Sequence, residues 1–148
     1  MTHVTFYQLD SEDLHDAAAH LVLSHYRGNG RSRAQCVIVC ETKADAENWD
    51  EYLWQQPTDA FIPHNLRGEG PANGTPVSIV WQPATEQAGV MFNFAQTALP
   101  VSPRIKQIIE FVPIDDAGKQ AARDRYKQYQ QAGCQLQFQP IPKEMNNG

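Results

Sequence analysis

At 148 residues the chain has the length of one ordinary domain. Its 41% hydrophobic residues supply a core that a disordered chain would lack, and the apolar run around Val37–Cys40 falls far short of the ~20 residues of a membrane span. With 12 Lys+Arg against 17 Asp+Glu the net charge is −5, the wrong sign for a freestanding nucleic-acid binder, so any anion site has to be local. Three cysteines are too few for a disulfide scaffold. The N-terminus lacks a basic segment leading into a long apolar stretch. These features predict a soluble cytoplasmic protein with reduced thiols, no secretory signal and no membrane partner.

Residues 4–9, Val-Thr-Phe-Tyr-Gln-Leu, predict a first strand. Asp10 and Ser11 suit the N-cap of an amphipathic helix carrying Leu14, Ala17, Ala18, Leu21 and His25, which Gly28-Asn29-Gly30 ends. Residues 35–40 show little alternation, as a buried parallel strand does. Thr42 and Asp45 resemble a capping box for a helix through Trp49 and Leu53 to about Gln55. From Pro57 to Pro76 the chain is rich in Pro, Gly and Asn without a sustained period, and a long ordered loop or a set of turns is expected.

Further strands are predicted at 77–81, 90–95 and 105–112. Asp115 and Asp116 suit the positive end of a helix that runs to about Ala132 and stops at Gly133. Residues 135–138 predict a last strand. A single domain over 1–139 is expected, with a flexible tail over 140–148. Strands alternating with helices make the fold class α/β: a three-layer, Rossmann-like sandwich with a mainly parallel central sheet.

That fold class invites a search for a nucleotide site, and the phosphate signature is missing. The first strand-to-helix turn, Leu9-Asp10-Ser11-Glu12-Asp13, has no glycine and three carboxylates. The glycine-rich stretch at 68–74 leads into a strand instead of a helix. Metal fares no better. Cys36 and Cys40 share one face of a strand but lie ~13 Å apart along it, and they suit small buried residues. His15, His20 and His25 are five apart on a helix and do not share a face. No nucleophile elbow is present. His64, beside Asn65 and near Glu69, is the best isolated general-base candidate, although a histidine so placed more often fixes loop backbone by hydrogen bonds.

Two features stand out. Lys119, Arg123, Tyr126, Lys127 and Gln130 form one stripe of the last helix, with three cations flanking a ring in an acidic protein. The stripe reads either as a solvated face or as a small site for an anion attached to an apolar group. Trp54, off the core face of its helix, and Phe61 beside Ile62-Pro63 read either as a core edge covered by the loop or as a hydrophobic patch for a partner.

Several blocks carry a family resemblance: Val-Thr-Phe-Tyr-Gln-Leu at 4–9, Asp-Glu-Tyr-Leu-Trp at 50–54, Phe-Ile-Pro-His-Asn-Leu-Arg-Gly-Glu-Gly-Pro at 61–71, Phe-Val-Pro at 111–113 and Ala-Arg-Asp-Arg-Tyr-Lys-Gln-Tyr at 122–129. Together they resemble the chi subunit of the bacterial DNA polymerase III holoenzyme over residues 3–138, weakly in 82–103. The resemblance implies a non-catalytic accessory subunit without cofactor or metal, tied to the clamp loader through the small psi subunit. It implies binding of the acidic C-terminal tail of single-stranded DNA-binding protein (SSB) at Val112, Lys119, Arg123, Tyr126 and Lys127. It implies a psi surface at Trp54 and Phe61, open to competition by a helicase, and no strong direct DNA binding. The alternative is an α/β enzyme or nucleotide-binding protein with its site in the 57–76 loop around His64.

Overall fold

The computed structural model describes residues 2–10, 18–19, 21–22, 36–55, 64–67 and 77–141. Their elements, in chain order, are β1 (His3–Gln8), β2 (Cys36–Cys40), α1 (Lys43–Trp54), β3 (His64–Leu66), β4 (Val77–Trp81), β5 (Val90–Asn93), β6 (Gln107–Val112), α2 (Asp116–Gln131) and β7 (Gln135–Pro140). Seven strands form one sheet in the order β3-β4-β2-β5-β6-β1-β7. Every pairing is parallel. Ala18, Ala19, Leu21 and Val22 are helical and buried.

Side-chain alternation divides the core in two. Cys36, Ile38 and Cys40 of β2 face a cluster holding Ala46, Trp49 and Leu53 of α1 together with Ala18, Leu21 and Val22. Val37 and Val39 face the opposite cluster, with Ala122 and Tyr129 of α2. Both sheet faces are therefore covered, which is why all five residues of β2 are buried and its sequence does not alternate. This is the expected α/β three-layer sandwich.

The caps follow the sequence closely. The Thr42 side chain accepts from the Asp45 amide at 3.1 Å, and Asp115 Oδ2 accepts from the Gly118 amide at 2.8 Å. Gly133, at φ 87°, takes the left-handed turn after α2 that other residues resist.

Several elements differ from expectation, beginning with β1, which spans His3–Gln8 in place of 4–9. The stretch expected to be loop contains β3, a three-residue edge strand parallel to β4, too short to show a period of two. β5 ends at Asn93, not Ala95, because Asn93 Oδ1 accepts from the Ala95 amide and bends the chain. β6 begins at Gln107, not Ile105, whose amide closes a turn onto the Ser102 carbonyl. β7 continues through Pro140 on the sheet edge, where a missing N–H is tolerated, and the buried Ile141 donates its amide to the Gln8 carbonyl.

Candidate functional site

The helix α2 crosses β6, β1 and β7, and its inward residues fix how it sits. Ala122, Arg125 and Tyr129 are buried against the sheet. Glu110 of β6, fully buried, accepts from Arg125 Nε at 2.9 Å, from the Tyr129 hydroxyl at 2.6 Å and from Asn93 Nδ2 at 2.7 Å. The Tyr129 oxygen in turn accepts from the Leu99 amide at 3.0 Å. Burial pushes the Glu110 carboxyl upward, opposed by Arg125, Tyr129 and Asn93, and burial beside Glu110 holds the Tyr129 phenol protonated.

The next residues round the helix are the stripe singled out in the sequence. Lys119, Arg123, Tyr126, Lys127 and Gln130 all line one pocket of about 500 Å³ between α2 and the sheet. Its floor comes from three strands. Val112 and Gln8 are register partners across β6 and β1, and Phe6 and Phe138 are partners across β1 and β7. Phe6 is buried, and its ring lies 5.4 Å from that of Tyr126, tilted by 50°. The Gln8 amide is held by the carbonyls of Leu9, Val112 and Pro113. Arg123 is exposed, and its guanidinium reaches Gln120 Oε1 at 3.5 Å. Ion pairs among the described residues join Arg67 to Glu86 and Arg125 to Glu110, and neither engages the stripe. The pocket thus joins an apolar, aromatic floor to three cations, an arrangement suited to an anion carried on an apolar group.

Of the predicted residues, Val112, Lys119, Arg123, Tyr126 and Lys127 are brought together here. Trp54 is 53% exposed at the end of α1, on the opposite side of the sheet. Phe61 lies outside the described residues. The His64 backbone belongs to edge strand β3. Cys36 and Cys40 are buried, and burial pushes their thiols up to about 11 and about 12. No cluster of metal-ligating side chains occurs among the described residues.

Sequence reasoning missed Phe6, Gln8 and Phe138. The alternation of Phe6 and Gln8 in β1 and of Leu136 and Phe138 in β7 was a usable signal, but only the parallel register shows that these strands are neighbours.

A second hollow, of about 640 Å³, opens at the carboxyl ends of β1, β5 and β6, lined by Leu9, Phe94, Phe111 and the start of α2. The Asp115 carboxylate caps that helix start.

Among the described residues, no helix is long and apolar enough to cross a membrane. The family described as DNA polymerase III chi subunit, HolC, matches residues 1–137. The chain is 36% identical to DNA polymerase III subunit chi of Escherichia coli (strain K12), over 92% of this chain and 96% of the relative. It is 39% identical to the subunit of the same name from Haemophilus influenzae, over 75% of this chain and 78% of the relative. The corresponding Pseudomonas aeruginosa subunit is 28% identical, over 97% of this chain and 99% of the relative. With a match that spans nearly the whole chain and relatives of like length, this chain belongs to the DNA polymerase III chi subunit family.

Proposed function

We propose that this chain is a non-catalytic, cytoplasmic adaptor of the replicase that binds the C-terminal tail of SSB in the pocket beneath α2. The observation that carries the reading is the pocket's composition. Lys119, Arg123 and Lys127 surround an apolar floor of Phe6 and Val112, in a protein whose total charge is −5. An acidic tail that ends in an aromatic residue has the complementary parts. Arg123 forks onto the terminal carboxylate, Lys119 and Lys127 draw the upstream acids, and Val112 and Tyr126 flank the ring. A few such contacts give roughly micromolar affinity, about −8 kcal/mol. SSB presents several tails on the same DNA, so effective concentration makes a weak contact useful and still exchangeable.

The second half of the proposal is a contact with psi at Trp54 and Phe61, through which the chain reaches the clamp loader and for which a helicase would compete. In its support, α1 and α2 lie on opposite faces of the sheet. A partner on Trp54 leaves the α2 pocket open, as a bridge requires.

Calorimetric titration with the SSB tail peptide tests the first half. Saturable, salt-sensitive binding is expected, abolished when the final aromatic residue is removed while every acid is kept. Equal binding of the truncated peptide would show a generic basic face in place of a shaped pocket.

A further inference from the structure

Phe138 is the most exposed large apolar side chain among the described residues, at 58%. It stands on β7, an edge strand of the sheet, where an uncovered aromatic invites aggregation unless something covers it. Its register partner is Phe6, so the two rings share one face of the sheet, one strand spacing apart. Tyr126 reaches toward the same floor from the helix side. Aromatic surface therefore bounds the pocket on both its helix and its edge-strand sides, while Val112 and Ala122 fill in the aliphatic part.

We infer that Phe138 is a specificity-determining residue that makes this pocket favour an aromatic over an aliphatic terminal side chain. The inference rests on the tail-binding reading above. The three cations attract any acidic peptide with a free carboxylate and do not distinguish one apolar end from another. A ring seated beside Phe138 gains edge-to-face or offset contact beyond the area it buries, about 2- to 12-fold in affinity, and an aliphatic end does not.

The test is a titration of wild type, Phe138→Leu and Phe138→Trp with two acidic peptides identical except for a final Phe or Leu. Leucine keeps the site apolar and removes the ring; tryptophan keeps a ring. The Phe-to-Leu affinity ratio is expected to fall by about 2- to 12-fold in Phe138→Leu and to persist in Phe138→Trp, with the Leu-ended peptide nearly unaffected throughout. An unchanged ratio in Phe138→Leu, or an equal loss for both peptides, would overturn the role of Phe138 and leave tail binding intact. Failure of the wild type to bind either peptide would overturn the tail-binding reading itself.

Discussion

Arg125 of α2 and Glu110 of β6 meet at 2.9 Å inside the core, with Glu110 fully buried and Arg125 7% exposed. The pair anchors the same helix whose next face lines the pocket, since Arg125 lies between Arg123 and Tyr126 in sequence but points inward. It also ties α2 to the carbonyls of Gln96 and Phe111. The register of the stripe over the sheet is thus set by buried polar contacts as well as by apolar packing.

Arg125→Met should cost about 3–5 kcal/mol, the usual loss when one partner of a buried ion pair is removed. The loss should depend on pH. Burial already raises the Glu110 carboxyl, and Arg125 is the leading force opposing that rise. Without Arg125 the folded-state value climbs further above the unfolded one. For a raised carboxyl, stability is fully present below the unfolded pKa and is lost as pH rises through the folded pKa. Urea unfolding at pH 5 and pH 8 should show a wider deficit at pH 8. Equal deficits would mean that Glu110 is not the group left uncompensated.

Gly118 should resist replacement despite its place in a helix. A Cβ there would lie 2.6 Å and 2.7 Å from Pro113 Cγ and Cβ, and 2.9 Å from the capping Asp115 Oδ1. Alanine ordinarily gains ~1 kcal/mol over glycine inside a helix. Here the rigid proline ring and the cap oppose it, and Gly118→Ala should destabilise by about 1–3 kcal/mol, as overpacking does. A rise in melting temperature would show that Pro113 gives way.

The stripe on α2 was legible because helical spacing is local. Lys119, Arg123, Tyr126 and Lys127 declare a common face without any knowledge of the sheet. The caps Thr42 and Asp115 were legible for the same reason. What the stripe faces was not. Phe6 and Phe138 are 132 positions apart in sequence, and their meeting depends on strand order, which no local pattern carries. Glu110 reads as one polar residue in the apolar run 108–112, and its three donors come from β5 and α2. β3 escaped notice because three residues between Pro63 and Arg67 cannot display alternation.

The two tryptophans of α1 should separate interface from core. Trp49 is 2% exposed, its ring centroid 4.9 Å from that of Phe94 and tilted by 32°, and Trp49→Ala should cost about 3–5 kcal/mol of stability. Trp54 is more than half exposed, so Trp54→Ala should leave the unfolding transition nearly in place. It should weaken co-purification with psi by about 2 kcal/mol or more, the cost of truncating an interface aromatic. Wild-type retention of psi by a folded Trp54→Ala protein would remove this surface from the proposed bridge.

Arg123 and Lys127 test how the cations divide their work. Both are exposed, and both line the pocket. Arg123 offers a planar fork to a carboxylate, whereas Lys127 offers a flexible point charge. Arg123→Ala should weaken the tail peptide about 10- to 150-fold, from the about 1.5–3 kcal/mol of a charged hydrogen bond. Arg123→Lys should recover only part of this, because charge returns without the fork. Lys127→Ala should cost less than Arg123→Ala. Raising salt shortens the screening length from about 8–10 Å toward about 3 Å, so the Lys127 effect should shrink first and the Arg123 effect should persist longer. If both substitutions cost the same at low salt and vanish together at high salt, the cations act as a diffuse field, and Arg123 makes no directed bond to the terminal carboxylate.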